Sequence, residues 1–321
     1  MTRTICKTSA QQQSCVCFHR VMAKFLLFSL ILTIICVLAG CQTVKMTKPF
    51  SAVNVLPDTD SMYIKIPVES NKAMCSSIIG TYIVGLSEKN SAELIDRSEI
   101  IYASINFKER SINAAIVGDF PVFIDMVFTE KNGWESRKYD KGGHSVKYYV
   151  SASAGFQVAV LQRSVMLVSS SDVQVLLKNH FAYDDTAYTS ENLEIPEISV
   201  AQNSIATGAR FGRNAVLTNS SSDISFYTSK AGYFIESIIG NGITLAADEA
   251  VGVFEKESEN EYMLDMEMTF TNKHALKPAL FLFKKAGTSG QIETEALSEL
   301  SIKCSGITMD IKTIVSLLIG G

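Results

Sequence analysis

Few residues of this chain stand at spacings that metal binding or nucleophilic catalysis requires. Beyond residue 40 the histidines are His144, His180 and His274, and no two of them lie at a metal-ligand spacing. A nucleophile elbow needs Gly-x-Ser-x-Gly, whereas the nearest sequence, GTSG at 287–290, has the wrong spacing and indicates a turn. We therefore expect no metal site, no cofactor and no locally encoded catalytic residues.

Aromatic residues between positions 134 and 149 are the most binding-like feature of the chain. Trp134 and Tyr139 are followed by tyrosines at 148 and 149, and exposed aromatic side chains make good contact anchors. His144 follows two glycines that would present its imidazole in a turn. We take Trp134, Tyr139 and His144 as candidate binding residues. Packing of the aromatics in the core, and a solvated histidine in a hairpin turn, are the alternatives.

An apolar run near the N-terminus ends in Leu38-Ala39-Gly40-Cys41. Lys24 gives this segment a positive start, and residues 25–37 (FLLFSLILTIICV) form its uncharged core. The segment 22–41 resembles the signal peptide of bacterial lipoproteins, in which the cysteine is acylated and the peptide before it is removed. The resemblance implies an exported protein held on a bacterial membrane by acyl chains on Cys41. An uncleaved membrane helix is the alternative, but the core is short for about 30 Å of hydrocarbon.

The signal peptide sets the first boundary of the chain. The polar leader before Met22 has no role in such a signal, so we expect the true start at Met22. Gln42 is not aspartate, which leaves the outer membrane or the periplasmic face as the destination. We divide the chain into a leader and signal peptide, a tether, a first α+β repeat, a linker and a second α+β repeat, at residues 1–40, 41–59, 60–181, 182–222 and 223–321.

Charge and cysteine content argue against nucleic-acid binding and against a disulfide. Removal of residues 1–40 takes away four basic residues and no acidic ones, which leaves 25 basic against 33 acidic side chains and a net charge of about −8. Such a chain has no electrostatic basis for nucleic-acid binding. Besides Cys41, only Cys75 and Cys304 remain. We favour two buried thiols over a disulfide between them.

The pattern of apolar residues predicts alternating groups of strands and helices. Positions 62, 64, 66 and 68 are apolar, which is typical of a strand with one buried face. In the first half we expect strands at 62–68, 99–107, 111–118, 145–151, 155–162 and 165–169, helices at 72–86, 121–130 and 173–179, and a loop at 134–143. In the second half we expect strands at 223–228, 250–257, 261–270, 297–303 and 306–309, and helices at 230–245, 273–285 and 311–319.

The order of elements in the second half repeats that of the first. Residues 77–80 (SIIG) recur letter for letter at 237–240. We therefore predict an internal duplication and an α+β fold, with two similar lobes of antiparallel sheet and helices packed on one face. The glycine that ends each SIIG should let its helix approach the sheet, so that Gly80→Val would overpack the contact.

The second half of the first repeat also resembles a loosely defined set of uncharacterised bacterial envelope proteins. The shared features are Trp134, Tyr139, a strand pair at 156–168 and a helix at 169–177, and they imply no activity. We therefore favour a non-enzymatic, membrane-anchored lipoprotein that binds a protein partner or a small ligand in the cell envelope. The alternative is an envelope-acting hydrolase whose fold brings His144 and Asp119 together.

Overall fold

The computed structural model describes residues 50–82, 87–121, 123–161, 163–189, 212–232, 235–236, 246–286 and 292–319. Cys41, the leader and the second SIIG segment lie outside these ranges. So does the centre of the predicted linker.

The described strands form one antiparallel sheet of twelve members. Their order across the sheet is β11-β12-β10-β9-β8-β1-β2-β3-β7-β6-β5-β4. The strands are β1 (Met62–Pro67), β2 (Ser98–Asn106), β3 (Ser111–Gly118), β4 (Glu135–Lys141), β5 (His144–Ser151), β6 (Phe156–Leu161), β7 (Val165–Ser169), β8 (Ile224–Thr228), β9 (Ala247–Lys256), β10 (Glu261–Phe270), β11 (Glu293–Ala296) and β12 (Ser301–Asp310).

Seven α-helices have described bounds. They are α1 (Ala52–Val55), α2 (Lys72–Tyr82), α3 (Glu88–Arg97), α4 (Val173–Thr189), α5 (Arg213–Thr218), α6 (Lys273–Ala286) and α7 (Ile311–Ile319). Short 3-10 turns lie at Glu69–Asn71, Ile124–Val127 and Glu130–Asn132. The helix expected at 230–245 is described only at residues 231–232 and 235–236, which are helical. No helix in the described part of the chain is long and apolar enough to cross a membrane.

Strand β1 shows how the sheet is covered. Ile64 belongs to the large core that α2, α6 and α7 form with β8–β10 and β12. Tyr63, on the opposite face, packs with Leu217 of α5 and Leu56 after α1. Successive strand residues point to opposite faces, so helices cover both sides of the sheet at its centre. The sequence led us to expect one buried face for this strand and helices on one side only. That expectation missed α1 and α5, which are only four and six residues long.

The predicted α+β class with an antiparallel sheet is confirmed. Both sets of strands belong to the same sheet, because β1 pairs with β8 over Met62–Lys65. Counted outward from this pair, the strands of the first half begin β1-β2-β3-β7-β6, and those of the second half follow β8-β9-β10-β12-β11. In each half a hairpin, β2-β3 or β9-β10, is therefore followed by a strand from later in the sequence. Residues 237–240 lie outside the described residues, and the SIIG superposition and the duplication stay predictions.

Several predicted segments differ from the structure. Residues 121–130 were expected to be a helix, but 3-10 turns lie at Ile124–Val127 and Glu130–Asn132 instead. Residues 134–143 were expected to be a loop, but Glu135–Lys141 form edge strand β4, paired along its length with β5. Only Tyr139 of this strand is buried, so the sequence lacks the apolar alternation of a strand. At the other edge, strands were predicted at 297–303 and 306–309. The structure instead has the short strand β11 before residue 297 and a single strand β12 from Ser301 to Asp310.

The close packing that was predicted for Gly80 is found at another glycine, Gly252. Gly80 is exposed in α2, and a Cβ atom there would meet nothing within 4 Å. The expected close approach of this helix to the sheet at Gly80 was therefore wrong. A Cβ at Gly252 in β9 would instead lie 2.6 Å from the Asp265 carbonyl oxygen and 2.7 Å from the Phe226 ring. The missing side chain of Gly252 thus makes room for Phe226 in the core.

Cys75 and Cys304 are buried free thiols in the same core, as predicted. Burial raises the pKa of each thiol to about 12. The reactive species is the thiolate, so neither side chain should react in the native protein. We expect the folded protein to show no modification of either thiol by DTNB until guanidinium chloride unfolds it, as measured by mass spectrometry. Rapid modification of the native protein at either cysteine would contradict this packing.

Candidate functional site

A cavity of about 120 Å³ lies between α3, the 3-10 turn Ile124–Val127 and the sheet. Its floor consists of alternate residues of neighbouring strands, Ile116 of β3, Met166 of β7 and Val158 of β6. Leu94 of α3 forms one side wall. Apolar cavities of about 150 Å³ stay dry and accept small apolar molecules, so a cavity of this size and lining suits an apolar group.

Trp134 closes one end of the cavity. Its ring lies edge-on to Phe128 with 5.0 Å between centroids, and Phe128 in turn stacks on Tyr149 at 5.1 Å. Tyr149 is buried and its hydroxyl interacts with Asp125, and these two effects raise its pKa to about 12. The phenol therefore stays neutral in any physiological buffer. Three packed aromatic rings thus give this end of the cavity a fixed shape.

The entrance of the cavity combines exposed apolar residues with an ion pair. Phe123 lines the cavity although it is 61% exposed, and Met126, in the turn that follows it, is 73% exposed. Glu93 and Arg97 of α3 also lie at the lining, with 3.4 Å between the Arg97 Nε and the Glu93 Oε1. This contact lacks hydrogen-bond geometry, and Nε has no other partner in the described residues. An apolar interior with a cation at its entrance suits an amphiphile whose head is anionic.

The structure does not bring the three predicted binding residues together. Trp134 is at the cavity, but Tyr139 and His144 pack against Phe181 of α4. Tyr139 stacks on Phe181 at 6.0 Å, and His144 lies almost parallel to the same ring at 4.0 Å. Gly142 and Gly143 have positive φ angles and form the turn between β4 and β5 that places His144 there.

The residues of the hydrolase alternative are also far apart. Asp119 follows β3 and His144 begins β5, and β7 and β6 lie between these strands. Three strand spacings amount to about 14 Å, which is far beyond hydrogen-bond reach. The described residues also contain no group of His, Cys, Asp or Glu that could hold a metal ion. The dispersed catalytic site that we considered is therefore not assembled from these two residues.

Sequence reasoning found Trp134 but missed the cavity that it lines. The lining comes from α3, residues 121–128 and three strands, so no local motif encodes it. One signal was present in the sequence. Residues 121–128 are PVFIDMVF, which is more apolar than one short turn needs for packing against the sheet.

Comparison with solved structures shows the same fold in three crystal structures of TP0453. Crystal form I aligns with a TM-score of 0.62 over 84% of this chain and 97% of that chain, at 16% identity. Form III gives 0.58 over 85% and 99%, and form IV gives 0.53 over 84% and 96%, both also at 16% identity. Comparison with curated proteins found no match.

The sequence itself matches a protein family over residues 47–308. The family is described as "Outer membrane-associated lipoprotein TP0453". This description agrees with the predicted lipoprotein character and confirms the expected localisation at the bacterial envelope. Because the match spans most of the sequence, the chain belongs to the TP0453 family of outer membrane-associated lipoproteins.

Proposed function

We propose that this lipoprotein is held on the membrane by acyl chains on Cys41 and binds an apolar chain, such as the acyl chain of a lipid, in the cavity that Trp134 closes. The observation that carries the proposal is the apolar lining of that cavity, in which Phe123 is 61% exposed. Each buried methylene of a ligand would contribute about 0.8 kcal/mol. This function requires no catalytic group, in keeping with a non-enzymatic protein.

The position of Arg97 extends the proposal to the head of the ligand. Its guanidinium lies at the cavity lining, and Glu93 offsets only part of its charge because the pair is exposed and poorly aligned. A carboxylate or phosphate joined to the bound chain would compete with Glu93 for the guanidinium. A charge-assisted hydrogen bond to Arg97 would then fix the orientation of the amphiphile.

Trp134 is the only tryptophan of the chain and therefore reports directly on the cavity. We expect a fatty acid brominated on its chain to quench the fluorescence of the lipoprotein, and the unbrominated acid to quench much less. A Val158→Phe variant should weaken binding by about tenfold or more, because the larger ring fills the cavity floor. The measurement is a fluorescence titration in detergent below its micelle concentration.

The matched control is Val175→Phe, which makes the same change at a valine that is 45% exposed in α4 and outside the cavity. Its affinity for the brominated acid should equal that of the unmodified chain. Circular dichroism checks that both variants are folded. Equal quenching of the two variants, or no quenching of the unmodified protein, would refute binding at this cavity.

A further inference from the structure

A second cleft, of about 560 Å³, lies on the opposite face of the sheet from the Trp134 cavity. Lys65 and Tyr102 form part of its lining and are paired across β1 and β2. The neighbouring residue Ile101 packs instead towards the cluster that contains Trp134. Since adjacent strand residues point to opposite faces, the cleft and the cavity are separate sites.

Lys65 is a buried cation without a matching anion. It is only 4% exposed, and its Nζ donates to the backbone carbonyl oxygens of Asn219 and Ser221. No carboxylate forms an ion pair with it among the residues that the structure describes. Burial lowers the pKa of its ammonium group, because the charge is desolvated and no acid compensates. Two carbonyls satisfy two of its three N–H donors, which leaves one for a ligand.

Other hydrogen-bond donors surround the same cleft. Tyr102 contributes a phenol whose pKa burial raises, so it remains a proton donor at neutral pH. Ser220 and Ser222 are exposed on the opposite wall, in the segment after α5. Among the residues that the structure describes, the lining contains no Asp or Glu. Asp223 lies just beyond it and accepts a hydrogen bond from Ser221 Oγ at 2.7 Å.

We propose that this cleft binds the phosphate group of a small ligand, with Lys65 at its floor and Tyr102 and the serines at its walls. Donors from β1, β2 and the segment after α5 line the same cleft, and a tetrahedral phosphate offers several acceptor oxygens to such a set. The bound charge would compensate the ammonium of Lys65. The phosphate can belong to a free phosphate ester or to a phospholipid head group, since both present the same oxygens.

Calorimetric titration of the detergent-solubilised lipoprotein tests the proposal with two water-soluble probes, glycerol 3-phosphate and dihexanoyl-phosphatidylglycerol. We expect at least one probe to bind. Lys65→Met should reduce its affinity at least about tenfold, and Tyr102→Phe about three- to tenfold, as expected for charged and neutral hydrogen bonds. Tighter binding of the lipid probe identifies a head group as the source, whereas equal or tighter binding of glycerol 3-phosphate identifies a free ester.

The matched control is Lys72→Met, which removes an exposed lysine paired with Asp96 outside the cleft. This variant should bind both probes as the unmodified chain does. Tyr102→Phe removes a single oxygen and keeps Lys65 bonded to its carbonyls, so it gives a second reading if Lys65→Met disturbs folding. Binding of neither probe, or unchanged affinity in folded Lys65→Met and Tyr102→Phe proteins, would show that Lys65 only fastens the segment 219–221 to the sheet.

Discussion

A Cys41→Ala variant is expected to lose fatty-acid labelling completely. The acyl chains on Cys41 are the proposed anchor, and the variant lacks the thiol to which they would be attached. Two or three acyl chains hold a protein stably on a membrane, whereas an unmodified surface with a net charge of about −8 has little affinity for anionic lipid. The measurement is metabolic labelling with a fatty-acid analogue, followed by membrane fractionation and mass spectrometry.

Cys36→Ala provides the control, because it removes a cysteine in the apolar core of the signal peptide and keeps Cys41. This variant should be labelled, should lose the peptide through Gly40 and should remain with membranes. If Cys41→Ala keeps the label and the mass of the unmodified protein, Cys41 is not the lipidated residue.

Gly252→Ala is expected to destabilise the folded protein by about 1–3 kcal/mol, the usual cost of overpacking a core. The added Cβ would lie 2.6 Å from the Asp265 carbonyl oxygen, on the next strand of the sheet, and 2.7 Å from the fully buried Phe226 ring. The carbonyl cannot move without breaking the pairing of β9 with β10. Urea unfolding followed by circular dichroism measures the change in the free energy of unfolding.

Gly80→Ala makes the same substitution with the opposite expected sign. Gly80 lies exposed in α2 with no atom within 4 Å of an added Cβ, and alanine in a helix interior is favoured over glycine by up to about 1 kcal/mol. The pair of variants therefore separates packing from backbone effects. A Gly252→Ala protein as stable as the Gly80→Ala protein would mean that β9 does not pack against Phe226 as described.

Strands with one dominant apolar face were predictable from the sequence. The hairpin of β9 and β10 is an example, since its apolar residues alternate and a polar turn joins the strands. Strand β4 was missed for the opposite reason, because an edge strand with one buried side chain has almost no periodic pattern. Its charged residues suit an edge, where they discourage pairing with other chains.

The cavity beside Trp134 and the cleft at Lys65, the two proposed binding sites, could not be predicted from the sequence. Trp134 was identified as a candidate because of its residue type, but the cavity beside it depends on strands and a helix distant in sequence. Lys65 was not predicted as a binding residue, because a lysine between the apolar positions of a strand normally faces solvent. Its burial results from α1, α5 and the segment after α5, which cover the second face of β1. These contacts are tertiary and leave no local pattern.

The pairing of β1 with β8 also constrains how the protein can fold during export. About 160 residues separate the two strands in sequence, and only four residue pairs join them. Until β8 emerges from the translocation channel, β1 has an unpaired edge, and such edges are prone to join other chains. Closing so large a loop is slow compared with forming the local hairpins on either side. The newly exported chain therefore passes through a stage in which its N-terminal half needs protection from aggregation, and a fragment ending before β8 would retain that vulnerability permanently.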